Sequence, residues 1–263
     1  MGAVAAVAVK TAMTTNVSPF RARSALRDVS RTAPTCSTCT LREVCLPVGL
    51  TTDAMTGLEA IVTTRMRVAK GETLYRSGDR FTALYAIRLG SFKTVLLADD
   101  GHEQVAGYHM PGEILGTDGV GLGRHDGEAI ALEDSEVCAI SFEGLRRLAR
   151  DQEAVQQNLH RVLADEIMRE RKIMVILGTM SAEQRLAAFL VDLSERYRAR
   201  GYSSSEFVLR MTREEIGSYL GLKLETVSRL LSRFQREGLL QVQGRVVKLL
   251  DLTTLRQLVE QSS

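Results

Sequence analysis

Apolar positions change their spacing three times along the chain. Between residues 68 and 142, short apolar runs alternate with glycine-bearing turns. The runs are Glu72 to Tyr75, Ala83 to Ile87, Phe92 to Leu97, Glu103 to Tyr108, Ala129 to Leu132 and Glu136 to Ile140. Gly71, Gly78, Gly90, Gly101, Pro111-Gly112 and the stretch Arg124 to Gly127 part them. Strands at this short, regular spacing predict an antiparallel roll or barrel. Ahead of the roll, Met55, Leu58, Ile61 and Val62 predict a short amphipathic helix over residues 54–66.

From Phe142 the spacing becomes helical. Ala154 to Leu177 runs without Pro or Gly, and Gly178 is the expected C-cap. A 3,4,3,4,3 seam passes through His160, Leu163, Ile167, Glu170, Met174 and Leu177. That is coiled-coil spacing, so a homodimer is expected, against the alternative of a helix packed only on its own chain. In a parallel dimer Glu170 faces its own copy, and the repulsion holds the seam near its association threshold, against the alternative that a slight rotation of the helix turns Glu170 to solvent.

The last part of the chain reads as helices closed by a ribbon. Ser181 to Gln184 is a capping-box pattern before an apolar stretch, and Gly201 to Glu206 is a loop. Thr212 to Glu215 repeats the cap and opens a helix over residues 214–220, which Gly221 ends. A second helix follows over residues 224–237. Two short helices joined by a glycine-bearing turn predict a helix-turn-helix, with Ile216, Leu220, Leu222, Val227 and Leu231 between them. On the second helix Val227, Leu230, Leu231 and Phe234 point inward. Glu225, Ser228, Arg229 and Ser232 share the opposite face, with Arg233 and Arg236 beside them. Arg can bond guanine bidentately and Glu can accept from cytosine N4, so Glu225, Ser228 and Arg229 are base-reading candidates. A hairpin with its turn at Gly244-Arg245 completes a winged helix. Ser232, Arg233 and Arg245 are candidates for phosphate contacts.

Charge sharpens that picture. Lys and Arg number 34 and Asp and Glu 32 in 263 residues, a net charge of +2, which excludes a polybasic protein. Yet residues 223–248 carry six cations against two carboxylates, a local basic patch suited to phosphates. Trp is absent and aromatics are 5%, which argues against stacking platforms for single-stranded nucleic acid. No apolar run reaches the ~18 residues of a membrane span, and the apolar start, Met1 to Val9, has its charge after it rather than before. Residues 1–34 read as a disordered leader of a cytosolic protein.

Cysteines supply the remaining chemistry. Cys36, Cys39 and Cys45 lie close together, and Cys138 sits on an expected strand. In a reducing compartment such a set points to metal before disulfides. Four thiolates suit an iron–sulfur cluster or structural zinc, and unligated thiols remain a third reading, with Cys138 as an ordinary core cysteine. No Gly-rich dinucleotide fingerprint accompanies them, so a redox enzyme is disfavoured.

The Cys set, Glu136 to Ile140, Glu183 to Phe189, Met211 to Gly221 and Glu225 to Phe234 together resemble the oxygen-responsive fumarate and nitrate reduction regulators of the CRP/FNR superfamily. The resemblance covers nearly all of the chain beyond residue 30. It implies an α+β fold in four parts. These are a leader and cluster loop (1–50), a cyclic-nucleotide-binding-like sensor roll (51–150), a dimerisation helix (151–180) and a winged helix-turn-helix (181–263). It implies that Cys36, Cys39, Cys45 and Cys138 ligate an oxygen-labile [4Fe-4S] cluster. It also implies that Glu225, Ser228 and Arg229 read TTGAT-type half-sites of a palindrome, and that genes of low-oxygen metabolism are mainly activated. Glu170 stands where the best-known members carry Asp, and the turn from Ala98 to Gln104 resembles a loop that contacts RNA polymerase. The rivals within this fold are a zinc-stabilised regulator and a cyclic-nucleotide-responsive one. For the latter, Pro111 to Ile114 supplies a Gly-Glu turn, but Gly127-Glu128 stands where the cyclic phosphate would need an Arg-Ser/Thr pair.

Overall fold

The computed structural model describes residues 27–28, 35–97 and 103–260. Strand β1 (Arg27–Asp28) precedes the cysteine segment, which contains a 3-10 turn at Arg42–Val44. Helix α1 (Thr52–Ile61) follows, capped by the Thr51 hydroxyl, which accepts from Ala54 N. It ends earlier than the apolar spacing predicts. Strand β2 (Val62–Val68) takes over, because Val62-Thr63-Thr64 is a β-branched run and the whole segment finds a partner strand. That partner is distant in sequence, so local periodicity does not reveal it.

The remaining strands of the roll are β3 (Thr73–Tyr75), β4 (Ala83–Leu89), β5 (Phe92–Leu97), β6 (Glu103–His109), β7 (Ile114–Leu115), β8 (Glu128–Ala131) and β9 (Ser135–Ser141). A single turn of helix, α2 (Gly119–Leu122), lies between β7 and β8. One sheet runs β1-β2-β9-β4-β7 and the other β3-β8-β5-β6. Their facing sides bury Ile87, Phe92, Leu115 and Val137, while Leu84 packs on the other side of the first sheet with α1. β9 is central and pairs on both sides, so Cys138 lies opposite Arg65 of β2 and Ala86 of β4.

Helix α3 (Phe142–Asp151) leads into α4 (Glu153–Thr179), the long helix. Val155, Asn158 and Ile176 face the chain's own core. Leu163 and Leu177 are half-buried, while Ile167, Met168, Met174 and Val175 are at least half exposed or nearly so (49%, 60%, 70% and 57%). Glu170 is exposed among them. The Gly178 cap is corrected by the structure. α4 continues through Gly178, and its C-cap is Met180 in extended backbone. A side chain supplies the capping instead. Arg185 donates from Nη2 to Leu177 O at 2.7 Å and from Nε to Met180 O at 2.9 Å.

Helix α5 (Ala182–Ala199) opens with the expected capping box of Ser181 and Gln184. Strand β10 (Glu206–Val208) emerges at the end of the expected loop, because it pairs with a strand some forty residues later. α6 (Arg213–Leu220) and α7 (Leu224–Arg236) form the helix-turn-helix, with Gly221 left-handed between them. β11 (Leu240–Gln243) and β12 (Val246–Leu249) form the hairpin, and the small sheet runs β10-β12-β11. A last helix, α8 (Leu252–Glu260), is absent from the periodicity reading. The Asp251 carboxylate caps it by accepting from Thr254 N, and Leu255 is fully buried.

Arg185 also donates from Nη1 to Leu220 O at 3.1 Å. One guanidinium thus satisfies the carboxyl ends of α4 and α6, where backbone acceptors are otherwise unpaired. Arg185→Met should cost about 2 kcal/mol in urea unfolding. A loss below a few tenths of that would mean water replaces the cap.

Candidate functional site

Two surfaces carry the chemistry. The first is the cysteine segment. Ser37 N donates to Glu59 Oε1 of α1 at 2.8 Å, which ties its start down and lowers the Glu59 pKa. Its end is held more firmly. Leu46 is buried, and Asn158 of α4 donates from Nδ2 to Leu46 O at 3.0 Å and to Val48 O at 2.8 Å. Cys36, Cys45 and Cys138 pack against one apolar cluster, with α1 behind them.

All four thiols are unoxidised and partly exposed. Burial, followed by the proximity of Cys138, pushes Cys36 up to about 12. Burial does the same to Cys45, also to about 12, with Cys36, Cys39 and Cys138 adding to it. Cys138 is raised as well, by burial first, with Cys39 adding to it and Arg65 opposing. Burial and mutual repulsion therefore hold Cys36, Cys45 and Cys138 as thiols until something positive joins them. Among the described residues Arg65 Nε is buried without a hydrogen-bond partner, and the Glu136 carboxylate stands 4.0 Å from it. Four soft donors and an orphaned cationic nitrogen fit an anionic thiolate-bound group. Among the described residues no three His, Cys, Asp or Glu side chains meet in the arrangement that a single ion requires.

The second surface is α7. Its buried face is Val227, Leu230, Leu231 and Phe234. Glu225, Arg229, Ser232 and Arg233 are exposed and Ser228 is half-buried, so the chemistry-bearing residues stand on the outer face. Ser232 Oγ donates back to Ser228 O at 3.0 Å. Arg233 is engaged by two carboxylates, Glu237 at 2.7 Å and Glu183 at 2.9 Å, and must leave them to reach a phosphate. Arg245 is exposed at the hairpin turn, where its Nη1 donates weakly to Arg210 O at 3.5 Å. The sequence reading finds these residues but misses their partners, since Glu183 lies fifty positions away.

The roll has no vacancy at its anion turn. Asp118 accepts from Asp126 N at 2.9 Å and Gly127 N at 3.3 Å, and lies 3.3 Å from His125 Nδ1. His125 is buried and stacks on Tyr75 at 3.7 Å between centroids. A side chain at Gly127 would start 2.8 Å from Val95 O, so no arginine fits there. The chain's own carboxylate occupies the backbone donors of this turn.

Comparison with known proteins agrees with this layout. Residues 184–258 match the family model of the Crp-like helix-turn-helix domain, and residues 65–152 match that of the cyclic nucleotide-binding domain. The chain is 49% identical over 235 residues to the transcriptional regulatory protein btr of Bordetella pertussis, covering 89% of this chain and 97% of that one. It is 40% identical over 223 residues to the fumarate and nitrate reduction regulatory protein of Escherichia coli K12, covering 85% and 89%. The chain belongs to the FNR type of the CRP/FNR regulators. Among solved structures it resembles FixK2 from Bradyrhizobium japonicum, with a TM-score of 0.68, 30% identity, and 74% of this chain and 96% of that one covered. This FNR-type chain is accordingly a DNA-binding transcription regulator and not an enzyme. None of its described helices is long and apolar enough to cross a membrane. The turn from Ala98 to His102 lies outside the described residues, as does the leader apart from the backbone of Arg27–Asp28.

Asn158→Leu leaves the buried Leu46 carbonyl and the part-buried Val48 carbonyl without their donor and should cost about 1–3 kcal/mol. Limited proteolysis checks it. Cleavage near residues 46–48 should become faster than in the parent chain, and unchanged cleavage would show that apolar packing of Leu46 alone holds the segment.

Proposed function

We propose that this regulator senses oxygen through a [4Fe-4S] cluster on Cys36, Cys39, Cys45 and Cys138, and that the state of the cysteine segment controls homodimerisation. The dimer reads a palindrome of TTGAT-type half-sites, mainly activating genes of low-oxygen metabolism through RNA polymerase. The observation that carries this reading is that Asn158 keys the cysteine segment into α4, the helix whose far face leaves Ile167, Glu170 and Met174 exposed. When bound, the cluster supplies a tie among four thiolates that oxygen breaks.

The rest is done by the chain. Asn158 and Leu46 join the segment to α4. Leu163, Ile167, Met174 and Leu177 offer the apolar seam to a second copy, and Glu170 opposes it through like charge. A docked segment stiffens α4 and lets the seam outweigh the repulsion. A released segment does not. In the dimer two copies of α7 stand about one DNA turn apart. Arg229 bonds a guanine, Glu225 accepts from a cytosine, and Ser228 completes the contact. Arg233, Ser232 and Arg245 hold phosphates. A cyclic nucleotide is disfavoured as the signal because Asp118 fills its turn.

Anaerobic protein should contain about four iron and four sulfide per chain, with a visible band that changes in air. Zinc, or an air-indifferent spectrum, would end the oxygen reading. Glu170→Ala should remain dimeric in air by sedimentation, where the parent dissociates; a monomeric variant defeats the repulsion argument. On DNA, Arg229→Ala should lose about 1–3 kcal/mol on the specific duplex only. Arg245→Ala should weaken all duplexes alike and reduce the salt slope by about 1. Equal effects of the two would remove the division between base and phosphate contacts.

A further inference from the structure

Pro111-Gly112-Glu113 has the form of a ligand turn, yet what it binds is the protein itself. Gly112 is left-handed at φ +90°, and a side chain there would start 2.7 Å from Val44 Cγ2 and 3.0 Å from Val44 O. The turn therefore lies against the backbone that leads into Cys45. Its next residue, Glu113, is nine-tenths buried, accepts from two guanidinium groups of α5 and stands near a third on α4.

From α5, Arg196 Nη2 donates to Glu113 Oε2 at 2.8 Å and Arg200 Nη2 to Oε1 at 2.5 Å. From α4, Arg169 Nη2 stands 3.7 Å from Oε2. The arginines also grip the turn's backbone. Arg196 Nη2 donates to Tyr108 O and Arg200 Nε to Pro111 O, both at 2.6 Å. His109 lies 3.9 Å from Glu113, but burial holds it at about 3, so it is neutral and adds no charge. Burial alone would raise the Glu113 pKa. Arg196, Arg169 and Arg200 reverse that and hold it at about 2.

A second foot of the same contact lies on α6. Lys93 pairs with Glu215 at 2.7 Å, Val105 N donates to Ser218 Oγ at 2.9 Å, and Gln104 donates to the Ser218 carbonyl. Between the two feet Val105, Tyr108, Met110 and Leu132 of the roll share one apolar cluster with the DNA-reading module. Of the polar contacts named above, the Glu113 cluster is the one that touches the roll, the long helix and α5 together. A buried carboxylate cannot shed its partners without a large penalty, so its geometry is held discretely rather than loosely.

We propose that Glu113 is the positioning residue that fixes the DNA-reading module on the roll, in register with the cysteine segment that packs on Gly112. The proposal rests on the cluster reading only for what releases the segment.

The test compares the full anaerobic chain with its Glu113→Gln variant, with iron and sulfide counted on each preparation. The parent should unfold in one calorimetric transition. The variant should keep its iron, split the transition in two and bind a palindromic TTGAT duplex about tenfold more weakly. Glu113→Asp, which keeps the charge, should restore most of both. Should Glu113→Gln fail to fold, Arg200→Met leaves Glu113 paired with Arg196 and Arg169 and should give the same split in smaller degree. A single transition with unchanged affinity in every variant that folds would overturn the proposal. So would an affinity loss that only follows loss of iron. Air should split the transition of the iron-loaded parent. If it stays single while the spectrum bleaches, the link from the segment to the module falls and the cluster reading stands. If the parent holds no iron, the cluster reading falls and the variants still judge Glu113.

Discussion

A carboxylate buried with three arginines constrains how this chain is assembled. Glu113 sits at the end of a tight turn in the roll, Arg169 on the long helix, and Arg196 and Arg200 on the first helix of the DNA-reading module. A charge of either sign left alone in that place would cost several kcal/mol, so the four side chains have to meet. Once they do, the roll, the long helix and the terminal module have few relative placements left. The surrounding apolar surface of Tyr108, Met110 and Phe189 gives affinity, and the ions give the angle.

Arg185 and Asn158 solve related problems with neutral acceptors. The carboxyl ends of α4 and α6 need donors, and one guanidinium reaches both. The cysteine segment leaves carbonyls buried at Leu46 and Val48, and one amide reaches both. In each case a long polar side chain ties two parts of the chain whose own backbones cannot pair. The outer face of α4 is treated differently. Its apolar residues stay exposed around Glu170, a surface that none of the described residues covers.

The roll also shows how a binding fold can close its own pocket. Asp118 takes the backbone donors of Asp126 and Gly127, and Tyr75 and His125 stack beneath. The family fold of a cyclic nucleotide-binding domain is kept while this turn is closed by the chain's own side chains, and fold and ligand are separate questions.

Much of this was readable along the chain. The helix-turn-helix followed from local spacing: Val227, Leu230, Leu231 and Phe234 recur at helical intervals, so the face carrying Glu225, Ser228 and Arg229 could only be the other one. Caps at Ser181 and Thr212 were equally local, because each closes within four residues. β2 was not legible, since a Thr- and Arg-rich stretch becomes a strand only when β9 supplies its ladder. Nor was the stop of α4, where Arg185 replaces the glycine that spacing favoured. Glu113 looked like part of a ligand turn, and its arginine partners lie more than fifty residues away. The sequence by itself determined the elements whose stabilising contacts fall within a turn or two of chain. Only the tertiary structure decided where buried charges and orphaned carbonyls find their partners, because desolvation makes those pairings obligatory and folding alone brings them within reach.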